Sequence, residues 1–205
     1  MNKVGGMDEE VRGGRADAVA NHRRIVAVAS DAFATEGLDV PIREIARRAG
    51  LGIATVYRHF PSKEALVSEV FDEQFASCRA LIDEGLQAED PGDGFRTVVQ
   101  RLMIMHARNR GFGRAFLSGP DGASPVSDER ARSLDMMRRL VERARHAGAI
   151  RGDVSVGDVI LALLANDGIR VETTESRVAA ARRLSTLFIQ AFSADPPAGA
   201  PHRSR

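Results

Sequence analysis

The stretch IREIARRAGLGIATVYRHF occupies residues 42–60 and divides into two short helical segments on either side of Gly50. Glycine adopts the left-handed backbone of a tight turn at little cost. Ala46 and Ala49 are small, so the second segment can lie close to the first. The apolar wedge between the segments consists of Ile45, Leu51, Val56 and Phe60. This layout predicts a helix-turn-helix, whose second helix enters the major groove of DNA.

The outward face of the second segment carries short or hydrogen-bonding side chains, which suit phosphates and base edges. These are Ile53, Ala54, Thr55, Tyr57, Arg58 and His59. Arg58 is the best candidate for a bidentate guanine contact, worth about 1–3 kcal/mol of discrimination. Phosphate contacts are predicted for Arg24, Arg43 and Lys63. Taken alone, Tyr57 would be interpreted as a core aromatic residue and His59 as an ordinary surface histidine; the helix-turn-helix context favours DNA contact for both.

The same residues resemble the TetR family of transcriptional regulators. The match comprises Ile45-Ala46, Ala49-Gly50-Leu51, Thr55 to Phe60, Ser62-Lys63-Glu64 and Leu66, in order and at the family spacing. The resemblance implies DNA contacts by Thr55, Tyr57, His59 and Lys63. It also implies an all-helical subunit that forms a homodimer and binds a small effector in a C-terminal domain. Pro41 and Gly52 depart from the family pattern, so the operator sequence does not follow from the resemblance.

Apolar periodicity predicts helices throughout the rest of the chain. The fold class is therefore all-α, with an N-terminal three-helix DNA-binding domain and a larger helical domain. The sequence predicts a flexible arm at 1–20, the helix-turn-helix domain at 21–67, a larger helical domain at 68–194 and a disordered tail at 195–205. The resemblance implies that residues 68–194 serve for ligand binding and dimerisation. The tail assignment rests on Pro196, Pro197 and Pro201.

Two groups of residues in the larger domain are candidates for binding surfaces. An effector pocket is predicted from Phe75, Leu102, His106, Phe112, Phe116, Met136 and Leu140. A dimer interface is predicted from Leu163, Leu164, Leu184, Leu187, Phe188 and Ala191. Each group has a simpler alternative, because apolar stripes in helices are more often packed in the core of the subunit itself.

Composition excludes several other classes of protein. The formal net charge of +1 shows that a DNA-binding surface must be local rather than global. Cys78 is the single cysteine, so the chain forms no internal disulfide. The scattered histidines have no metal-ligand spacing, and no catalytic set or cofactor motif is recognisable. Neither a signal peptide nor a membrane-spanning run is present, so we expect a cytoplasmic protein.

These observations predict a ligand-relieved repressor that binds a palindromic DNA operator as a homodimer. The sequence identifies neither the effector nor the regulated genes, and it does not distinguish repression from activation. The alternative is a helical small-molecule-binding protein or enzyme that keeps a vestigial helix-turn-helix. An enzyme would require a compact set of acids, bases or metal ligands, and the sequence contains no recognisable set of this kind.

Overall fold

The computed structural model describes residues 5–117 and 125–194, and this part of the chain is helical with no strand. The predicted all-α fold is confirmed. The helices are α1 (Gly5–Thr35), α2 (Ile42–Arg48), α3 (Ile53–His59), α4 (Lys63–Gln87), α5 (Pro91–Arg108), α6 (Arg110–Leu117), α7 (Pro125–His146), α8 (Val156–Asp167) and α9 (Thr174–Phe192). One isolated β-bridge joins Ile150 to Ser193.

The first helix begins earlier than the sequence predicted. A flexible arm was expected over residues 1–20, but α1 starts at Gly5. The segments around Gly13 and Gly14 are rich in Glu, Arg and Ala, whose helix propensities outweigh the cost of the glycines. The expected tail at 195–205 lies outside the described residues.

The chain divides into two compact units, residues 1–70 and 71–205, with the division falling within α4. The first unit has a small core between α1, α2 and α3. Ile25 and Phe33 of α1, Ile45 of α2 and Val56 of α3 are completely buried there. This core holds α2 and α3 in place from their inner sides and leaves their outer sides in solvent.

The second unit is built around α5, which contacts α6, α7, α8 and α9. Asp90 caps the start of α5, because its carboxylate accepts a hydrogen bond from the Asp93 amide at 2.8 Å. Helices α4 and α5 approach very closely at Gly85 and Gly94. A β-carbon at Gly94 would lie 2.4 Å from the Gly85 carbonyl oxygen, so neither position has room for a side chain.

Candidate nucleic-acid interface and effector cavity

The turn between α2 and α3 depends on the backbone of Gly50. Its φ angle is +65°, in the left-handed region, and no atom lies within 4 Å of where a β-carbon would stand. Glycine is therefore required here for conformation and not for space. The Leu51 amide donates to the Ala46 carbonyl oxygen at 3.0 Å and closes the turn. Gly52 then starts α3 from an extended conformation, without a side-chain cap.

Helix α3 buries Val56 and turns its opposite face to solvent. Ile53 and Tyr57, one helical turn apart, are 48% and 47% exposed. Ala54 and Arg58 are also exposed, whereas Thr55 is half-buried. The structure therefore brings the predicted base-reading residues of α3 onto one accessible surface.

Arg58 is partly organised by its own helix. Its Nη2 donates a hydrogen bond to Thr55 Oγ1 at 2.9 Å. This bond uses one of the five guanidinium donors and orients the group, leaving other N–H groups for an acceptor outside the chain. Thr55 and Arg58 thus act as one polar unit beside the apolar pair Ile53 and Tyr57.

His59 is half-buried, so it is only partly available to DNA. The ring of His22 on α1 stacks on Phe60 with centroids 4.9 Å apart and meets the His59 ring edge-on at 5.8 Å. His22 Nε2 also lies 3.2 Å from Glu69 Oε1. The His22 ring therefore ties the end of α3 to the first helix, a role that sequence spacing did not reveal.

Cations on α2 fall into two groups. Arg47 is bound to Glu44, while Arg48 is bound to both Glu44 and Glu36. Hydrogen bonds from Arg47 and Arg48 lower the pKa of Glu44 to about 2. These two arginines are engaged within the domain, whereas Arg43 of the same helix, which is exposed as they are, has no ion pair among the described residues.

Three basic side chains of the first unit have no acidic partner among the described residues. Within the described part of the chain, Arg24, Arg43 and Lys63 form no ion pair. Arg24 and Arg43 are exposed and Lys63 is half-buried. Such side chains suit contacts with DNA phosphates, which position a protein on the duplex.

The second unit contains a small cavity that only some of the predicted effector residues line. Leu102, His106 and Phe116 line it. Phe75, Phe112 and Leu140 are buried in the core nearby without lining it, and Met136 is half-buried and also does not line it. Met137, a further sequence candidate for the pocket, also lines the cavity. Sequence periodicity did not identify the other lining residues, which are Cys78, Ile82, Ser133, Leu134, Val159, Ile160 and Leu163. The cavity measures about 10 Å³, which is room for one water molecule.

His106 is the polar centre of this cavity wall. Its side chain is buried, and neither ring nitrogen has a hydrogen-bond partner. The ring meets Phe112 and Phe116 edge-on at 5.3 and 5.6 Å. Burial lowers the pKa of His106 to about 4, so the imidazole is neutral at pH 7. Ser133 Oγ is also buried and lies beside the Cys78 thiol, whose pKa is raised by burial to about 12.

The predicted dimer residues differ in exposure. Leu163 is only 3% exposed in the single chain, so it belongs to the core of the subunit and is unavailable to a partner. Leu164 and Leu187 are nearly half exposed, and Ala191 is exposed. Leu184 and Phe188 are intermediate. Leu161, which sequence periodicity did not identify, has the most exposed large apolar side chain among the described residues, at 59%.

Two negative findings hold for residues 5–117 and 125–194. No cluster of three or more His, Cys, Asp or Glu residues there could hold a metal ion. No helix in the same residues is long and apolar enough to cross a membrane.

Two family descriptions match the chain. Residues 25–70 match the family described as bacterial regulatory proteins, tetR family. Residues 90–192 match the C-terminal domain described as transcriptional regulator SbtR-like.

Individual proteins are also similar in sequence to parts of this chain. The A-factor receptor protein of Streptomyces griseus is 32% identical over 127 residues, 60% of this chain and 46% of that protein. The nucleoid occlusion factor SlmA of Vibrio atlanticus is 31% identical over 57% of this chain and 58% of that protein. The chain therefore matches less than two thirds of the length of these relatives.

Solved structures resemble the chain over most of its length. The TetR transcriptional regulator SCO0520 of Streptomyces coelicolor is 28% identical, with a TM-score of 0.54 over 86% of this chain and 99% of that one. The TetR family regulator PfmR of Thermus thermophilus has a TM-score of 0.60 at 24% identity, over 82% of this chain and 94% of that one. The second likeness concerns the fold alone.

Proposed function

Because this chain belongs to the tetR family of bacterial regulatory proteins, we propose that it represses transcription as a dimer on a palindromic operator and that a small effector relieves repression. The observation that carries the proposal is the accessible face of α3. Ile53, Tyr57 and Arg58 project from a short helix that Val56 fixes to the core of the first unit. A rigid helix with an exposed mixed face is what major-groove reading requires.

We assign the exposed side chains of this surface either to phosphate contacts or to base reading, according to their charge and polarity. Arg24, Arg43 and Lys63 supply phosphate contacts, joined by the hydroxyl groups of Thr55 and Tyr57. Phosphate contacts determine register and orientation but carry no sequence information. Arg58 is proposed to read guanine, and Ile53 and Ala54 offer apolar contacts to thymine methyl groups. His59 contributes less than its position in the sequence indicated, because its ring is half-buried.

A twofold dimer is supported by the apolar surface of α8 and α9. Leu161 and Leu164 of α8 and Leu187 of α9 are exposed although they are large and apolar. Exposed apolar side chains that cluster on adjacent helices are typical of an interface. We therefore assign the dimer contact to Leu161, Leu164, Leu184, Leu187, Phe188 and Ala191, with Leu161 replacing the buried Leu163.

Effector binding is assigned to the cavity beside His106. The unpartnered nitrogens of His106 and the hydroxyl of Ser133 supply the hydrogen-bonding groups, and the remaining wall is almost wholly apolar. The effector is therefore an apolar molecule with at least one hydrogen-bonding group. At about 10 Å³ the cavity holds no such molecule as it stands, so binding must displace wall side chains such as Met137. A ligand that binds only the expanded state shifts the protein away from the DNA-binding state.

Selection of bound duplexes from a random DNA pool tests the DNA-binding half of the proposal. We expect one palindromic sequence from the wild-type protein. Arg58→Ala should relax the preference at one position of each half-site, whereas Arg43→Ala should weaken binding to all sequences alike. Arg139→Ala, an exposed arginine of α7, serves as the control and should leave selection unchanged. Failure to recover a sequence from the folded dimer contradicts the proposal.

A screen against the selected operator tests the effector half. We expect an apolar compound to lower operator affinity, and His106→Leu to reduce its effect by at least tenfold without altering operator affinity in its absence. A compound that acts equally on the wild-type and His106→Leu proteins would place the effector site elsewhere.

A further inference from the structure

The second unit also carries an open groove between α4, α5 and α9, which we call the α4–α5–α9 groove. Its volume is about 510 Å³. A neighbouring groove of about 390 Å³ shares Arg108 and Arg182 with it. Both volumes lie within the range of small-molecule sites, in contrast to the cavity beside His106.

The α4–α5–α9 groove is strongly positive. Arg101, Arg108 and Arg182 line it, and no acidic residue does. Arg101 is paired with Glu84, at 2.6 Å. Among the described residues, Arg108 and Arg182 have no side-chain hydrogen bond or ion pair. Glu175 lines the adjoining groove, but it forms no ion pair with Arg108 or Arg182 among the described residues. Two guanidinium groups without a bound carboxylate therefore lie at one groove, a pattern that favours an anion.

The floor of the same groove is apolar. Leu81 of α4 is buried, and Ile104 and Met105 of α5 are half-buried. The exposed parts of Ile104 and Met105 leave apolar area in contact with water, and covering that area with a hydrocarbon chain is favourable. Cations beside an apolar floor complement a molecule with an anionic head and an apolar chain.

Helix geometry keeps this groove apart from the proposed dimer contact. Val178 of the neighbouring groove and Leu187 of the dimer contact are separated by about 180° around α9, at 100° per residue. Arg182 and Leu184 are likewise separated by about 160° around α9. A dimer formed through the Leu187 side therefore leaves Arg182 accessible.

We propose that the α4–α5–α9 groove binds a single-chain amphiphile with a carboxylate or phosphate head. Arg108 and Arg182 hold the head, because guanidinium groups pair bidentately with both kinds of anion. The chain covers Leu81, Ile104 and Met105. This site is separate from the cavity beside His106, and its occupation does not depend on DNA binding.

Calorimetric titration of the full-length protein with probes of equal chain length tests the proposal. The probes are decanoate, decyl phosphate, 1-decanol and decyltrimethylammonium, all below their micelle concentrations, with acetate as the head alone. We expect decanoate or decyl phosphate to bind at least tenfold more tightly than decanol. The cationic probe should bind more weakly still, and acetate should not bind measurably. Whichever anion binds more tightly identifies the preferred head group.

Paired variants locate the site. In Arg108→Gln/Arg182→Gln, affinity for the anionic probes should fall at least tenfold, to the level of decanol. Ile104→Ser should weaken decanoate and decanol equally, because it alters only the floor. Arg139→Gln, which removes an exposed arginine from α7, should bind as wild type does, and circular dichroism checks that every variant is folded. Equal binding of decanoate and decanol by the wild type, or unchanged decanoate binding by the double variant, overturns the proposal.

Discussion

Replacing His106 with leucine should remove a pH dependence of stability that the wild-type protein shows between pH 6.5 and about 4. The imidazole is buried, is neutral, and has no hydrogen-bond partner in the folded protein. Burial lowers its pKa from 6.5 to about 4. The unfolded chain therefore binds a proton at pH values where the folded chain does not, and stability must fall as the pH drops through this window.

The size of the effect follows from the two pKa values. A difference between 6.5 and about 4 amounts to about 3 kcal/mol, at about 1.4 kcal/mol for each pH unit. The loss begins near pH 6.5 and is complete near pH 4. At pH 7 protonation of His106 contributes almost nothing to the difference in unfolding free energy between wild type and His106→Leu. There the variant gains stability by removing two unpartnered nitrogens and loses the ring contacts with Phe112 and Phe116, each effect being about 1 kcal/mol.

Urea unfolding at pH 7, 6, 5 and 4.5, followed by circular dichroism at one protein concentration, measures this difference. The free energies of unfolding of wild type and His106→Leu should diverge steadily in favour of the variant as the pH falls. Protonation of carboxylates such as Glu44 affects both proteins alike and cancels. His146→Gln is the control, because His146 is exposed and should leave the wild-type dependence intact. Parallel curves for wild type and His106→Leu would refute the argument from burial.

Three further predictions concern the dimer, the helix crossing and base reading. Leu164→Glu should weaken the dimer at least tenfold in sedimentation equilibrium, because it places a charge in the proposed contact; an unchanged dimer would contradict that contact. Gly94→Ala should lower the free energy of unfolding by about 1–2 kcal/mol, since overpacking against the Gly85 carbonyl exceeds the gain in helix propensity. Gly152→Ala, which meets no atom within 4 Å, should not be destabilised by overpacking. Replacing operator thymines with uracil, which lacks the methyl group, should weaken wild-type binding at one position in each half-site. The operator affinity of Ile53→Ala should not change with the same replacement. Equal losses of affinity in both proteins would exclude methyl recognition by Ile53.

The exposed face of α3, which we propose binds DNA, was largely readable from residues 42–60. Helical periodicity and the position of Gly50 are local properties, so they predicted both α3 and its exposed face. The ion pair of Arg48 with Glu36 was not readable, because Glu36 lies twelve residues away and outside α2, unlike its local partner Glu44. The contact between His22 and Phe60 was missed for the same reason, since the two rings belong to distant parts of the chain.

The larger domain shows where periodicity stops being informative. A stripe of leucines on α8 predicts an apolar face, but it does not say which edge of that face meets its own subunit. Packing of α8 against α5 and α6 buries Leu163 and leaves Leu161 and Leu164 in solvent. Likewise, Arg108 and Arg182 are 74 positions apart in the chain, and only the packing of α5 on α9 brings them to one groove.

The sequence by itself determined the helical class, the helix-turn-helix and the family, because these depend on spacing within a few helical turns. The tertiary structure decided that His106 is neutral and unpartnered, that the cavity beside it is nearly closed, and which leucines remain exposed. Burial and long-range pairing arise only when distant segments come together. Desolvation, which controls the pKa of His106, has no counterpart in local spacing.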